Sequence, residues 1–465
     1  MPLLVCEEIG CVGSAVRGKA CLLCRRRLCS EHLKPQVHRC PDWQNNNEID
    51  AWEVASEHAT RDEISALAAA IDIQALERQA SLLRGGVSCS VTPLKYDPET
   101  IHKVMGGMNY HIIIRFLDGI EWICRIRRNN ASSPPQEVQN AILLSEVATL
   151  RFLTSTEVPA PKVHGYATFG DGNPVGMGYI LMNKLQGRPL DLHEATPEQK
   201  RRFMSQFADI FAELSAHPFP TIGCLLSSAS GNVSVGPIVT ETTIRTAGNQ
   251  VIFAGPFSSA RFYRLHVLEL VLELIRQEEI YIDRPLDAYL VHRALLDNLS
   301  SLVGADTNCG PGFYLKHMDD KGDHILVDTE FNIVGIIDWE CAQTVPKSEA
   351  FASPLFMLDV SEYYSGNNSL SDTEELFIET LQQKQYLELA ALVSFGRVQH
   401  RIMHCVNGAL DDPEFPNVFM TLLRLLLGES NMVMDSWDSW RADSLARYCE
   451  DPDVHALFLE PGPAN

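Results

Sequence analysis

Eight soft metal ligands crowd into the first forty residues: Cys6, Cys11, Cys21, Cys24, Cys29, His32, His38 and Cys40. A segment this short with almost no apolar core cannot offset its chain entropy by burial, and it needs metal to fold. Tetrahedral zinc takes four Cys or His ligands, so eight make two closed structural sites. The other seven of the 13 cysteines are scattered singly through the rest of the chain. That distribution fits metal sites in a reducing compartment rather than a secreted disulfide scaffold. The segment is locally basic through Arg17, Lys19, Arg25, Arg26, Arg27, Lys34 and Arg39. It lacks the interleaved stacking aromatics of a nucleic-acid binder, so a protein partner is the better reading.

From the third cysteine onward the Cys-x-x-Cys, Cys-x-x-His and His-x-Cys steps resemble the AN-one-type zinc finger, while the opening pair is four residues apart instead of the usual two. The resemblance implies a cross-braced pair of sites. Cys6, Cys11, Cys29 and His32 would hold one zinc; Cys21, Cys24, His38 and Cys40 would hold the other. Fingers of this type are more often protein-interaction modules, which again implies a protein partner.

A formal charge of -22 argues against general binding to nucleic acid or anionic membrane. The opening MPLLVCEEIG has no positive region followed by a long apolar run, and no stretch of about 18 apolar residues occurs. The expectation is a soluble, intracellular protein of the cytoplasm. Residues 41–58 are polar and read as a linker. Thr60, with Glu63 three residues on, forms a capping box opening a helix striped by Ile64, Leu67, Ala68 and Ile71.

From residue 87 the pattern turns to strands. A glycine turn at Gly106-Gly107 leads into HIIIRFLDG and EWICRIRR, a hairpin with Asp118-Gly119 at its tip. The helical run AILLSEVATLRFLTST follows, then GMGYILMNKLQGRPL. Thr196 to Gln199 opens another helix, with Pro197 in first position and Gln199 closing a capping box; Phe203, Phe207, Ile210, Phe211 and Leu214 form its apolar face. Residues 225–260 match no motif. LELAALVSFGRVQHRIMHCVNGAL and FMTLLRLLLG read as late apolar-striped helices, and the tail EPGPAN is expected to be disordered.

The chemistry concentrates between Tyr314 and Pro346. Ile325 to Val327 and Ile333 to Ile337 read as two strands joined by an Asp-Thr-Glu-Phe-Asn turn. Such a hairpin brings His317, Asp319, Lys321, Asp323 and His324 close to Asp338. Phosphoryl transfer needs one carboxylate to orient and deprotonate the attacking hydroxyl, and a second to hold magnesium. Asp319 and Asp338 fit those two roles.

HMDDKGDHIL is similar to the catalytic loop His-x-Asp-x-x-x-x-Asn of protein-kinase-like folds, and IIDWE to their metal-binding segment. GIIDWECAQTVPKSEAFASPLFM resembles the fungal members of the aminoglycoside phosphotransferase (phosphotransferase enzyme) family. The resemblance covers nearly all of residues 90–450. It implies an α+β, bilobal protein-kinase-like fold, a small antiparallel-sheet lobe plus a large helical lobe, preceded by the two-zinc finger. The implied domains are the finger at 1–45, a linker and packing helix at 46–86, the small lobe at 87–185 and the large lobe at 186–460. An acceptor-site insertion occupies about 220–310.

The implied activity is ATP- and magnesium-dependent transfer to a hydroxyl of a small molecule. Gly106 and Gly107 would lie over the phosphates, with Arg125 contacting them and paired with Glu146. Leu181, Met182 and Asn183 would lie nearest the adenine. Asp319 would be the base, and Lys321 would touch the transferred phosphate. Asp338 would hold metal with His324, which stands where the family pattern has Asn. Magnesium prefers oxygen donors, so an imidazole there weakens the site. Two other readings stay open: an inactive pseudokinase, and a finger-centred interaction module with the kinase fold as scaffold.

Overall fold

The computed structural model describes residues 3–459 apart from 39, 41–42, 44–47, 171, 229–230, 241–242, 248–249, 305–311, 409 and 429–435, with the backbone alone at 48–53, 247 and 459. The tail EPGPAN lies outside the described residues. After the Cys/His segment come α1 (Glu48–Ala70) and α2 (Ile73–Leu83). The linker reading of 41–58 and the capping box at Thr60 are both corrected here, because 48–58 are helical. Thr60 lies inside α1, and its hydroxyl is satisfied by the Ser56 carbonyl at 3.0 Å. The cap belongs to α2, where the Asp72 carboxylate accepts from Ala75 N at 2.8 Å.

Glu63 has another task. Its carboxylate accepts from Arg128 Nε and Nη2 at 2.8 and 2.9 Å and from the Tyr110 hydroxyl at 2.9 Å. Arg128 in turn donates to the carbonyls of Gly106 and Gly107 at 3.3 and 3.1 Å. The glycine turn is thus tied to α1 through a nearly buried ion pair. Replacing Glu63 by Ala strands the guanidinium and is expected to cost about 3 kcal/mol, read as a lowered thermal midpoint; an unchanged midpoint would contradict this role.

Strands β1 (Cys89–Val91), β2 (Asn109–Phe116), β3 (Glu121–Arg127), β4 (Val163–Ala167) and β5 (Tyr179–Asn183) form one antiparallel sheet in the order β1-β2-β3-β5-β4. The β2–β3 register runs from Asn109 opposite Arg127 to Arg115 opposite Glu121. Side chains alternate across a sheet. Tyr110, Ile112 and Ile114 with Cys124, Ile126 and Leu181 bury one face in a core with Ile64, Leu67 and Leu76 of α1 and α2. The same alternation sends Arg125 and Arg127 to the other face. There α3 (Gln136–Leu153) packs, contributing Val147 and Leu150 to a core shared with Ile180 and Met182.

β6 (Arg188–Pro189) carries the chain into the large lobe. Gly187 precedes it with φ +150°, and a Cβ there would stand 3.1 Å from the Val327 carbonyl oxygen, so only glycine lets the hinge pass this close. α4 (Pro197–Ser215) has the expected capping box at Thr196 and Gln199, and its five apolar residues are buried. β7 (Gly223–Ser227), β8 (Val233–Val235), β9 (Ile244–Ala247) and β10 (Gln250–Phe253) occupy the motif-free stretch. α5 (Ala260–Arg276), α6 (Pro285–Asp297) and α7 (Leu299–Gly304) follow.

β11 (Phe313–Lys316), β12 (Ile325–Val327), β13 (Ile333–Ile336) and β14 (Gln343–Pro346) then form two small sheets, β11-β14-β7-β8 and β13-β12-β6. The rest is helical: α8 (Lys347–Ala350), α9 (Val360–Tyr364), α10 (Asp372–Gln383), α11 (Leu387–Ser394), α12 (Arg397–Asn407), α13 (Phe415–Leu427), α14 (Trp437–Arg447) and α15 (Pro452–Leu459). The run read as one helix from Leu387 is two, broken at Phe395-Gly396, where a Cβ on Gly396 would meet Ala352 at 3.0 Å. Among the described residues no helix is long and apolar enough to cross a membrane.

Candidate functional site

The lobes meet at one guanidinium. Arg125 of β3 donates through Nη1 to Glu146 of α3, and through Nη2 to Asp338 and, at 3.1 Å, to Glu340. Glu340 also accepts from Arg127 and, at 2.8 Å, from Asn109 Nδ2. Sequence reasoning singled out Arg125, Glu146 and Asp338, preferred Arg125 to Arg127 as the strand cation, and missed Glu340 and Asn109. The signal for Arg127 was present, since it lies two residues along the same strand and so shares the face of Arg125. Two guanidiniums face three carboxylates. Burial raises the Glu146 carboxyl against the pull of Arg125. Burial also works to raise Asp338, yet the charge and hydrogen bond of Arg125 outweigh it and hold that carboxyl below the usual range. With Glu146 held toward its neutral form by burial, the two guanidiniums are matched by Asp338 and Glu340, and Asp338, whose side chain is 51% exposed, is the acid of the cluster open to a divalent metal.

Asp338 sits two residues beyond β13 at φ +63°, a left-handed conformation uncommon outside glycine. Trp339 holds the turn, buried to 1% exposure with its indole N–H donating to Ile336 O at 2.9 Å. His317 joins this turn to the preceding loop. Asp319 N donates to His317 Nδ1 at 3.2 Å, so Nε2 carries the proton and donates to Ile337 O at 2.9 Å. Asp319 thereby shares a frame with Asp338, and its side chain stays 44% exposed with Lys321 Nζ 3.1 Å away. Gly322, at φ +104° and with room for no Cβ against Phe356, lets the loop turn back. His324 is stacked on His317, ring centroids 4.1 Å apart, with its Nδ1 buried and without a hydrogen-bond partner. Burial, reinforced by His317, pushes its pKa down to about 3, so the ring is a neutral donor.

The other predicted residues are placed as follows. Gly106 and Gly107 precede β2, and a Cβ on Gly106 would come within 3.6 Å of the His111 ring. Met182 and Leu181 lie on opposite faces of β5, Met182 in the core shared with the large lobe and Leu181 against α1 and α2. Asn183 exchanges hydrogen bonds with the backbone of Lys162.

In the N-terminal segment the ligand atoms form two sets, Cys6, Cys11, Cys29 with His32 and Cys21, Cys24, His38 with Cys40, each within 4.8 Å of one another. The Sγ atoms of Cys11 and Cys29, and of Cys21 and Cys40, are 3.9 Å apart. Four ligands around tetrahedral zinc at about 2.3 Å leave sulfurs roughly 3.8 Å apart. His38 donates from Nδ1 to Lys34 O at 2.9 Å, which leaves Nε2 for metal. Both sets could hold zinc. This unit is docked on the large lobe: Arg17 Nε meets Glu279 Oε2 at 2.6 Å, with side-chain exposures of 5% and 0%. Leu3 joins the large-lobe core, and Arg25 reaches Asp62 of α1 at 3.1 Å.

A model of the phosphotransferase enzyme family matches residues 114–346, half of the chain, and the match includes Arg125, Glu146, Asp319 and Asp338. The chain belongs to the phosphotransferase enzyme family. The fold is accordingly the bilobal, protein-kinase-like α+β fold, preceded by a small Cys/His unit that lies outside the matched residues. A subtelomeric hrmA-associated cluster protein of Aspergillus fumigatus is 26% identical over 317 residues, 56% of this chain and 61% of that protein. A second such protein, from another strain, is 32% identical over 133 residues, 28% of this chain and 25% of that protein. The chain thus spans less than two thirds of the length of either relative. Similar solved structures include a fructosamine-3-kinase homologue from Thermobifida fusca (16% identity, 75% of this chain and 98% of that chain, TM-score 0.44). Another is a thermostable mutant of aminoglycoside phosphotransferase APH(4)-Ia in ternary complex with AMP-PNP and hygromycin B (13% identity, 77% of this chain and 100% of that chain, TM-score 0.42).

Proposed function

We propose that this chain transfers the terminal phosphoryl group of ATP to a hydroxyl of a small molecule. The observation that carries the reading is the junction at Arg125, where a strand cation, a buried helix acid and the acid closing the hairpin meet between the lobes. Asp319 takes the hydroxyl proton as that oxygen bonds to phosphorus and the bond from phosphorus to the ADP oxygen breaks. Asp338 and His324 would hold magnesium, which when bound neutralises charge on the phosphates. Arg125, steadied by Glu146, orients the phosphates beneath Gly106 and Gly107, and Lys321 reaches the transferred group. Adenine lies against Met182 and the backbone of Leu181 to Asn183. Two zinc ions order the N-terminal finger, whose cysteines are free of disulfides, in keeping with the cytoplasm. Recruitment of a protein partner by the finger would use residues such as Ile9 and Val12, which lie bare.

A second reading, nucleotide binding without turnover, is favoured by the imidazole at 324 and by the engagement of Asp338 with Arg125. Thermal shift with ATP, with and without magnesium or manganese, separates the two when combined with an assay for ADP release. Wild type is expected to show a metal-dependent shift that Asp338→Ala abolishes, and His324→Asn is expected to strengthen the magnesium response. A wild type that shifts without releasing ADP establishes the second reading, and no shift in either protein refutes both.

A further inference from the structure

A cavity of about 500 Å³ lies beside the catalytic loop, reached by Met318, the residue before Asp319. That volume is in the range of small-molecule sites, roughly 300–1,000 Å³. Its chemistry is unlike that of a site for a polycation. α5 contributes Val267 and Val271, the segment after it Tyr281, and α12 Met403 and Val406. The charged residues in the lining are mostly matched to each other. Arg264 and Glu349 form an ion pair at 2.7 Å with side-chain exposures of 5% and 2%, and Lys19 and Asp283 pair at 3.4 Å where exposure is high. Among the described residues Asp411 is left as the lining carboxylate without a cation at ion-pair distance. A molecule carrying several ammonium groups would lose its hydration here for a single counter-charge.

Among the described residues one buried acceptor of the lining is unspent. Gln343 is 4% exposed, lines the cavity, and its Oε1 has no hydrogen-bond partner. A buried acceptor of this kind costs free energy unless a ligand donates to it. Gln343 stands opposite Lys316 in the β11–β14 register, at the strand end from which the catalytic loop departs. The acceptor therefore sits where a bound hydroxyl would be handed to that loop.

Lys19 belongs to the finger, not to the lobe. The finger supplies part of the rim, held by the buried Arg17–Glu279 pair two residues away. We infer that this cavity binds a neutral, mainly apolar molecule bearing a hydroxyl, donated to Gln343, and that the zinc finger forms one wall of the site. The inference rests on the phosphotransfer reading for what then happens to the ligand, but not for its binding.

The test uses full-length, zinc-loaded protein and 2-(2-naphthyl)ethanol, titrated by its own fluorescence, with 2-ethylnaphthalene and kanamycin as comparators. Saturable binding of the naphthyl alcohol is expected, with kanamycin failing to displace it. Val267→Trp, which fills the cavity, should abolish binding. Gln343→Leu should weaken the alcohol about tenfold, corresponding to one buried hydrogen bond, and leave 2-ethylnaphthalene unchanged. Lys19→Glu, which sets like charges across the rim, should speed release. The inference is overturned if the alcohol does not saturate, if kanamycin displaces it, or if Gln343→Leu binds both naphthyl probes as wild type does. The magnesium-dependent nucleotide shift, measured on the same preparations, keeps the two claims apart. Its absence alongside naphthyl binding sinks the phosphotransfer reading alone, and its presence without naphthyl binding sinks the cavity inference alone.

Discussion

Stripping zinc from the purified protein with a strong chelator is expected to unfold the N-terminal unit and also to destabilise the large lobe. Structural zinc contributes apparent folding free energies of about 10–16 kcal/mol in isolated finger peptides, so without it the Cys6–Cys40 segment has little to hold it together. The wider effect follows from the docking. When the finger unfolds, Arg17 leaves Glu279, whose side chain is wholly buried. An uncompensated buried carboxylate costs about 3–5 kcal/mol, which for a lobe of this size is a fall of about 5–10 °C in melting temperature. Metal analysis should find two zinc ions per chain before treatment. Arg17→Met supplies the control, because it should retain both zincs yet reproduce the loss in the lobe. A stripped protein melting with the holoprotein would show that the finger is an independent appendage.

Arg125→Met is expected to cost the fold about 3–5 kcal/mol and to eliminate the nucleotide shift in the same step. The side chain is 5% exposed and answers Glu146 and Glu340, exposed 4% and 11%, together with Asp338. Methionine keeps the unbranched stem but none of the five donors, so the two buried acids repel each other unless they take up protons. Arg125→Lys keeps the charge but presents a single nitrogen where a planar fork spans three acids. It should recover most of the melting temperature and little of the nucleotide response. Should Arg125→Met melt normally while losing nucleotide, the cluster is organised around the ligand and not around the fold. Should it bind nucleotide normally, the junction is structural and the phosphate site lies elsewhere.

Much of this site was legible because it depends on local patterns. The hairpin before Asp338 formed from Ile325 to Ile336 as its two apolar runs and polar turn required, and α4 formed with the cap and buried face read from Thr196 to Leu214. α1 was misread because a capping box is a short pattern that any Thr-x-x-Glu satisfies. Whether Thr60 caps a helix or lies within one depends on residues 48–59 before it, whose large apolar members Ile49, Trp52 and Val54 are too few to mark a helical stripe. Glu63 had a stronger claim on its carboxylate than the cap, namely a guanidinium 65 residues away in sequence.

The sequence by itself determined the ligand inventory of the finger, the alternation that turns Arg125 away from Cys124, and the pairing of an acid in a loop with an acid after a strand. These are consequences of residue type and of periods of two or a few residues, which the chain carries locally. Only the tertiary structure decided that Glu340 and Asn109 join Arg125, that the finger is seated on Glu279, and that a largely apolar cavity lined by Gln343, whose Oε1 has no hydrogen-bond partner, reaches the loop that carries Asp319. Charge compensation and cavity shape are set by groups brought together from distant parts of the chain, so no spacing along the sequence encodes them.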